Sequence, residues 1–212
     1  MAGRFISFEG GEGSGKSTQA RLLADHLREL GQDVVLTREP GGTAGAEAIR
    51  ALIVTGDPDR WTPWGEACLV YAARADHLAR VIVPALARGD TVVCDRFVDS
   101  TRAYQGAGKG IADADLCALH RLACGDIWPD LTVVLTIDPA LGLARANARH
   151  GGEGRFEAHD LGFHARIADF LAELPGREPD RCYGLAADQP LDALAAAIVA
   201  LAMRPPRRSS GR

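Results

Sequence analysis

The stretch from Gly10 to Ser17 reads G-x-x-x-x-G-K-S, and it constrains the fold of this chain more than any other feature. It follows the apolar run Arg4–Phe8, which we predict to be a β-strand, and precedes an amphipathic stretch that we predict to be a helix. Glycines let backbone N–H groups turn inward around phosphates, and a helix start adds the positive end of its dipole. This pattern in this context predicts a phosphate-binding loop, or P-loop.

The rest of the chain alternates short apolar runs with Ala- and Leu-rich amphipathic stretches, which is typical of a parallel sheet covered by helices on both faces. We predict strands at Arg4–Phe8, Asp33–Thr37, Thr91–Cys94, Leu131–Ile137 and Cys182–Ala186. We predict helices at residues 16–30, 44–54, 65–88, 113–124, 139–149, 160–173 and 190–203, with Pro40, Pro129, Pro139 and Pro175 at boundaries. The sequence therefore predicts a single α/β domain over residues 1–203 and a disordered, Pro-rich tail at 204–212.

Composition gives no indication of several classes of partner and location. A net charge of −4 gives no reason to expect nucleic acid or an anionic membrane as a partner, so local arginines and backbone amides must hold any anionic ligand. No apolar stretch approaches the ~18–20 residues of a membrane span, and the chain opens on the strand-like RFISFEG rather than on a signal peptide. The five cysteines are scattered and never spaced C-x-x-C, which favours reduced thiols. We therefore expect a cytoplasmic protein.

The P-loop and the end of the third strand carry the candidate catalytic groups. We expect ATP to bind along the loop, at Gly10, Gly11, Glu12, Gly13, Ser14, Gly15, Lys16, Ser17 and Thr18. Lys16 would bridge the β- and γ-phosphates, and the Ser17 hydroxyl would bind Mg²⁺. Asp95 and Arg96 follow an apolar strand, where open α/β sheets bind ligands. Asp95 would organise Mg²⁺ through water or orient the phosphates, and Arg96 would bind a phosphoryl group in a bidentate way.

A P-loop alone does not separate a kinase from a GTPase or an ATPase motor. The sequence has no N-K-x-D motif, which argues against a GTPase. Motor and transporter ATPases are usually larger than 212 residues, because they also need surfaces for their partners. These observations favour a metabolic enzyme.

Further motifs resemble those of bacterial thymidylate kinases. In the order found in that family, they are the P-loop from Glu9, R-E-P-G-G-T from Arg38, Y-A-A-R ending at Arg74, D-R-F from Asp95, S-T-R-A-Y-Q-G from Ser100, Gly125-Asp126, Pro129–Thr132 and D-Q-P-L from Asp188. The resemblance implies a P-loop nucleoside monophosphate kinase fold, with a five-stranded parallel sheet flanked by helices, in a homodimer. It also implies transfer of the ATP γ-phosphoryl group to dTMP, with Mg²⁺, giving dTDP and ADP in dTTP biosynthesis.

The resemblance also assigns side chains to dTMP, one position at a time. It implies that Glu12 lies near the sugar 3′-OH and that Tyr104 crowds the sugar 2′ position, which favours deoxyribose. Arg96 and Arg50 are implied on the phosphate side. Arg74 is implied to bind the pyrimidine O4, and Thr101 and Gln105 to contact the base. Arg38 and Val70 are expected on the substrate side as well.

One position departs from the family pattern. The family usually has Phe four residues before the base-reading arginine, where its ring stacks on thymine; here that position is Val70, and Tyr71 follows it. One residue on a helix turns the side chain by ~100°, so Tyr71 cannot simply replace the missing ring. A kinase for another deoxynucleoside monophosphate, or one that accepts both dTMP and dUMP, therefore stays open. A nucleotide-binding protein without turnover is a further alternative, against which the intact P-loop and the Asp95–Arg96 pair argue.

Gly13 stands where one branch of the family has an arginine in the P-loop. The resemblance therefore implies that cationic groups come from a mobile lid at roughly residues 145–158, in which glycines permit movement. We predict that Arg149 and Arg155 close over the phosphates and are catalytic. Arg145 alone is better explained as part of a solvated helix face.

Overall fold

A computed structural model describes residues 3–148 and 154–205. Arg149, part of the predicted lid and most of the predicted tail lie outside the described residues. The strands are β1 (Arg4–Gly10), β2 (Val34–Arg38), β3 (Thr91–Asp95), β4 (Leu131–Thr136) and β5 (Cys182–Ala186). The helices are α1 (Lys16–Glu29), α2 (Ala44–Val54), α3 (Pro63–His77), α4 (Val83–Arg88), α5 (Val98–Thr101), α6 (Asp113–Cys124), α7 (Pro139–Asn147), α8 (Leu161–Arg177) and α9 (Leu191–Ala202). Two π-helical segments, Leu78–Ile82 and Arg102–Gly108, follow α3 and α5.

The strands form one parallel sheet in the order β2-β3-β1-β4-β5. This confirms the predicted fold class, a five-stranded parallel sheet flanked by helices. β1 lies at the centre, and Phe8 is paired with Asp95 on β3 and with Val133 on β4. Because all strands run in one direction, their carboxyl ends meet at a single edge of the sheet, where ligands bind in folds of this kind.

The core lies on both faces of the sheet. On one face, Ile6 and Phe8 pack in a cluster with Leu23 of α1 and Ile198 of α9. On the other face, Phe5 belongs to a cluster built by α3, α4 and α6. Burial on both faces explains why β3 and β4 carry apolar residues at adjacent positions instead of alternating ones.

Two predicted helices differ from the structure. The helix predicted over residues 65–88 begins earlier, at Pro63, because the Thr62 hydroxyl caps it by accepting from the N–H of Gly65. It is also interrupted by the π-helical segment Leu78–Ile82. Pro175 was predicted as a boundary, yet it lies inside α8, which continues to Arg177. A proline in the last turn removes one N–H but leaves the earlier hydrogen bonds of the helix in place.

No helix was predicted for the segment after β3, but the structure has helical turns there. The segment forms the short helix α5, continued by the π-helical segment Arg102–Gly108. The whole segment is nearly buried, and its wider turns direct several polar side chains towards the carboxyl edge of the sheet. Wider turns of this kind are frequent at functional sites.

Two expectations about the chain as a whole can be compared with the fold. Within the described ranges, every helix is too short or too polar to traverse a lipid bilayer. All five cysteines lie in those ranges and carry free thiols, as the scattered spacing predicted.

Candidate active site

The P-loop lies between the end of β1 and the start of α1. Gly13 and Gly15 have positive φ angles of 66° and 84°, which glycine adopts without the strain of a Cβ atom. Lys16 extends back over the loop, and its Nζ donates to the carbonyl of Gly11 at 2.6 Å and to the hydroxyl of Ser14 at 3.2 Å. The first N–H groups of α1 and this ammonium group therefore face one small space, which suits a phosphate group.

Two oxygen-bearing side chains meet beside the P-loop. The Ser17 hydroxyl donates to the Oδ2 atom of Asp95, which the pairing of β3 with β1 brings to the loop. The Oδ1 atom of Asp95 is buried and has no hydrogen-bond partner anywhere in residues 3–148 and 154–205. A hydroxyl and a carboxylate with a spare oxygen are hard donors of the kind that Mg²⁺ prefers.

Arg96 and Glu12 form a pair in front of the P-loop. Arg96 has a positive φ of 69°, which turns its side chain back towards the loop. Its Nη2 atom lies 2.9 Å from the Oε1 atom of Glu12, and the Tyr104 hydroxyl donates to the same oxygen at 2.6 Å. Burial raises the pKa of Glu12, but Arg96, Lys16 and the Tyr104 hydroxyl outweigh it and lower this pKa to about 2. Glu12 is therefore a carboxylate at neutral pH, fixed by a cation and a phenol.

A second carboxyl group, Glu9, lies beneath this pair and was not predicted as a site residue. It is fully buried, and its Oε1 atom accepts from the N–H of Phe97 at 2.8 Å, while Oε2 accepts from the Ser100 hydroxyl. Ser100 in turn accepts from the guanidinium of Arg96 at 3.1 Å. Burial and the nearby carboxylate of Asp99 raise the pKa of Glu9 to about 8. Glu9 therefore holds the turn that carries Arg96.

A cavity of about 160 Å³ opens in front of the Arg96–Glu12 pair; we call it the central cavity. It is lined by Glu12, Glu39, Pro40, Arg50, Ile53, Val54, Val70, Arg74, Arg96, Phe97, Ser100, Thr101, Tyr104, Gln105, Phe156 and Glu157. The structure thus brings together all the side chains predicted around the substrate except Arg38. Its walls combine six apolar side chains with ten polar or charged ones.

Arg38 lies elsewhere. Its guanidinium is half-exposed and lies 3.2 Å from Glu47. It lines a second cleft together with Ser17 and Asp95, on the Ser17–Asp95 side of the P-loop and not in the central cavity. The structure places it near the predicted metal ligands.

Arg74 lines the central cavity and has one donor without a described partner. Its Nε atom donates to Glu39 at 2.7 Å and its Nη2 atom to the Thr101 hydroxyl at 2.8 Å, while His77 contacts the other oxygen of Glu39 at 3.1 Å. The Nη1 atom is buried, and no described residue accepts a hydrogen bond from it. A buried donor without a partner is costly, so the cavity favours a ligand with a carbonyl oxygen at this point.

Gln105 presents the complementary group. Its amide nitrogen donates to the Oε1 atom of Glu66 at 2.8 Å, which leaves the carbonyl oxygen free to accept. Glu66 is fully buried, and its Oε2 atom also contacts Lys109 at 3.0 Å. Glu66 was not predicted as a site residue, yet it sets the orientation of one.

Arg155 has partners that differ from the predicted ones. It is 2% exposed. Its guanidinium forms an ion pair with Glu66 and donates to the carbonyls of Ile53, Asp57 and Pro58. None of its described contacts involves the P-loop. To reach the phosphates, Arg155 would have to leave all four acceptors, so the structure gives it an anchoring position.

The other lid arginines give less information. Arg145 is exposed on α7, in line with the solvated helix face predicted for it, and it also donates to the carbonyl of Ala187 at 3.3 Å. Arg149 lies outside the described residues, and its role at the phosphates stays a prediction.

Helix α7 packs directly on the P-loop. A Cβ atom built on Gly13 would overlap the carbonyl oxygen of Gly142 in α7, and one built on Gly142 would overlap the carbonyl oxygen of Glu12. The loop therefore has no space for any side chain at position 13. This contact explains why a glycine, and not an arginine, occupies that position in this chain.

Several of the groups that build the site carried no recognisable signal in the sequence. Glu9 and Glu39 lie inside quoted motifs, but the motifs do not indicate what these residues do. Glu9 supports the turn that carries Arg96, and Glu39 orients Arg74. Glu66 and Phe156 lie outside every motif. A buried position on α3 could have been suspected for Glu66 from the apolar residues around it, but its partners come from distant segments.

The comparisons with known proteins agree with this geometry. A family model described as thymidylate kinase matches residues 8–198. A thymidylate kinase from Caulobacter vibrioides is 56% identical over 196 residues, which cover 92% of this chain and 94% of the relative. One from Dinoroseobacter shibae is 52% identical and covers 93% and 95%, respectively. The crystal structure of thymidylate kinase from Ehrlichia chaffeensis superposes with a TM-score of 0.76 at 32% identity, over 96% of this chain and all of that chain. These matches confirm the resemblance seen in the motifs, and the chain belongs to the thymidylate kinase family.

Proposed function

We propose that this chain transfers the γ-phosphoryl group of ATP to dTMP, giving ADP and dTDP on the route to dTTP. The observation that carries the proposal is the position of the central cavity beside the P-loop, because Glu12 belongs to both. A monophosphate in the cavity and a triphosphate on the loop would therefore meet at one point. Phosphoryl transfer needs such an approach of two anions in fixed positions.

The P-loop would hold the donor. Its N–H groups and the start of α1 suit the β-phosphate, and Lys16 would turn from the carbonyl of Gly11 to the β- and γ-phosphates. Because the transition state spreads negative charge over the γ-phosphoryl oxygens, a nearly buried ammonium group stabilises it more than an exposed one.

The residues beside the loop fit Mg²⁺. The spare Oδ1 atom of Asp95 and the hydroxyl of Ser17 would hold it, directly or through water, together with phosphate oxygens. When bound, Mg²⁺ would neutralise negative charge on the phosphates. Arg38 lines the same cleft and would contribute positive charge on that side.

Arg96 and Arg50 would bind the monophosphate of dTMP. Both line the central cavity, and Glu9 fixes the position of Arg96 by accepting hydrogen bonds from Phe97 and Ser100, which follow it. Glu12, kept ionised by Arg96 and the Tyr104 hydroxyl, would accept from the sugar 3′-OH. Tyr104 would leave no space for a 2′-hydroxyl.

Arg74 and Gln105 would recognise the base. The free Nη1 atom of Arg74 can donate to O4 of thymine, and the carbonyl oxygen of Gln105 can accept from its N3–H. Cytosine has an amino group in place of O4 and an acceptor at N3, so it would leave both groups unpaired. A site built in this way rejects the wrong base strongly, because buried polar groups without partners are costly. Thr101 fixes the Arg74 guanidinium and would contact the base from the same side.

One alternative is a kinase with broader preference among deoxynucleoside monophosphates, which Val70 left open. The donor of Arg74 and the acceptor of Gln105 suit both thymine and uracil, so dUMP is the competitor that the geometry favours most. A protein without turnover is disfavoured, since Lys16, Ser17, Asp95 and Arg96 all face the same small space.

An ADP-release assay with ATP and Mg²⁺ against dTMP, dUMP, dCMP, dAMP and dGMP tests the proposal. We expect the highest kcat/KM with dTMP. Arg74→Lys should lower kcat/KM for dTMP at least about tenfold, because it removes a hydrogen bond from a charged donor. Arg88→Lys, on an exposed arginine paired with Asp90, is the matched control and should leave it unchanged. Preference for another monophosphate would contradict the proposal.

The family resemblance and the composition support further proposals on location, oligomeric state and partners. We propose that the enzyme acts in the cytoplasm as a homodimer, without nucleic acid or membrane as a partner. The net charge of −4 agrees with the absence of a polyanionic partner. Light scattering of the purified protein would measure the oligomeric state directly.

A further inference from the structure

The base end of the central cavity has an aromatic ring, although position 70 is a valine. Phe156 lines this cavity together with Val70. It packs against the apolar cluster formed by Ile53, Val54 and Val70. The Phe156 ring thus lies beside Val70, whose small side chain offers a ligand only a small apolar contact.

The Phe156 ring is held in a defined orientation. It meets the Tyr104 ring edge to face, with centroids 5.4 Å apart and an interplanar angle of 89°. The guanidinium of Arg155 lies over the Phe156 ring at 5.4 Å, and the ammonium of Lys109 at 6.0 Å. Such contacts favour one ring position over free rotation in solvent. The ring remains only partly buried and stays accessible from the cavity.

Arg155 fixes the chain that carries this ring. Its guanidinium donates to the carbonyls of Ile53, Asp57 and Pro58 and forms an ion pair with buried Glu66. These acceptors lie on α2, on the connection to α3, and on α3 itself. The neighbouring residue, Phe156, is therefore placed over the cavity by contacts that a single mutation can remove.

Glu66 connects this anchor to base recognition. One of its oxygens accepts from the amide of Gln105, and the other contacts Arg155 and Lys109. The side chain that sets the direction of Gln105 is thus the same one that holds Arg155. Removal of Glu66 would affect both.

We infer that Phe156 supplies the flat apolar contact to the base of the substrate, in place of the ring that position 70 lacks, and that Arg155 and Glu66 are positioning residues for it. This inference rests on the proposed binding of dTMP in the central cavity. It makes residue 156 a determinant of affinity for the base, and it gives Arg155 a role in substrate binding instead of a role at the phosphates.

The first test is Phe156→Leu, which keeps apolar volume but removes the flat ring. Calorimetric titration should show a Kd for dTMP that is about tenfold higher, given the size of base–aromatic stacking. The Kd for 2-deoxyribose 5-phosphate, which has no base, should stay the same, and so should the Kd for ATP. Phe170→Leu is the matched control, because Phe170 packs between Arg102 and Arg177 outside the cavity. An equal loss of affinity for 2-deoxyribose 5-phosphate would overturn the stacking role.

The second test restores the ring from the other position. In the Phe156→Leu background, Val70→Phe should recover most of the affinity for dTMP. In the wild-type background it should give little gain, because Phe156 and Val70 border the same space. A tenfold gain in the wild-type background would show that the base lacks a ring contact, and would contradict the inference.

The third test concerns Arg155. Arg155→Met should raise the Kd for dTMP by about the same factor as Phe156→Leu, and the double variant should lose no more than either single one. The kcat of Arg155→Met at saturating dTMP should change much less than its Kd for dTMP. If Arg155→Met lowered kcat and left the Kd for dTMP unchanged, Arg155 would act on the phosphates, and the anchoring role would be wrong.

Arg74→Lys, titrated in parallel, separates failure of this inference from failure of the proposed site. If it weakens dTMP binding while Phe156→Leu does not, only the inference is wrong. If neither variant changes the Kd for dTMP, the nucleotide binds elsewhere and both are wrong.

Discussion

Lys16 is nearly buried although it carries the charge that the phosphates need. It is 6% exposed, and burial, followed by the neighbouring charge of Arg96, lowers the pKa of its ammonium group to about 8. Phosphate oxygens would favour the charged form again. The protonation of this residue is therefore coupled to nucleotide binding.

We expect the enzyme to take up a proton when it binds ATP at about pH 8.5, since part of Lys16 is neutral there in the free protein and charged in the complex. The affinity for ATP should fall as the pH rises through about 8. Calorimetric titrations in two buffers with different ionisation enthalpies measure the proton uptake. The Lys16→Met variant should show none; equal uptake by both proteins would assign it to another group.

The same variant tests catalysis. Lys16→Met keeps the buried aliphatic stem but removes the charge, so the fold should survive while kcat falls by about 10²–10³-fold. Turnover is measured by ADP release and folding by the melting temperature. Turnover within tenfold of the wild-type value would exclude this loop from the chemistry.

At the scale of elements, the contact between α7 and the P-loop matters most. Gly142 of α7 approaches the backbone of Glu12 and Gly13 so closely that neither glycine position has space for a methyl group. The helix therefore supports the loop from behind. Any shift of α7 is transmitted to the donor site, because packed interiors respond to small volume changes.

We expect Gly142→Ala to raise KM for ATP and to lower the free energy of unfolding by about 1–3 kcal/mol, as overpacking does. Gly176→Ala in α8 is the matched control, because a Cβ atom there would meet no described atom within 4 Å. Kinetics at varied ATP and urea unfolding provide the two readouts. Equal effects of the two substitutions would mean that α7 moves freely and gives the loop no support.

The sequence predicted the strands closely because each is an apolar run between polar turns. β5 was predicted at its observed bounds, and β1 continues two residues past its predicted end, to Gly10. The π-helical segments were missed, since their extra residue per turn depends on tertiary contacts and not on local periodicity. The same reasoning holds for the site. Lys16 and Arg74 belong to local motifs, whereas the partnership of Phe156 with the Val70 cluster joins distant parts of the chain.

For the molecule as a whole, a buried ion network joins segments that are far apart in the sequence. Asp99 is fully buried, and its oxygens contact Arg102 at 2.8 Å and Arg181 at 2.7 Å. These arginines also contact Glu178 at the end of α8, and Arg102 contacts Asp113 of α6. Burial raises the pKa of Asp99, but the two guanidinium groups outweigh it and lower this pKa below its usual value.

We expect Asp99→Asn to lower the free energy of unfolding by about 3–5 kcal/mol, because it leaves two buried guanidinium groups short of negative charge. Asp25→Asn, which removes an exposed pair with Arg28, is the matched control and should cost less than about 1 kcal/mol. Urea unfolding at neutral pH measures both.

The pH dependence of the free energy of unfolding follows from the lowered pKa of Asp99. Its stabilising contribution is fully present above the unfolded-state pKa of about 3.9 and is lost as the pH falls through the lower folded-state value. The difference in stability between wild type and Asp99→Asn should therefore shrink in acid. A difference that grew on acidification would contradict the assignment of the charge to Asp99.

The strand order also governs how the chain can fold while the ribosome makes it. β1 is synthesised first, but its neighbours β3 and β4 end at residues 95 and 136. A nascent chain that stops before residue 131 leaves one edge of β1 unpaired, and an unpaired edge is a template for association with other chains. The segment that carries Phe156 emerges later still. The P-loop at residues 10–17 thus depends for its support on Gly142 of α7, which is translated more than a hundred codons later.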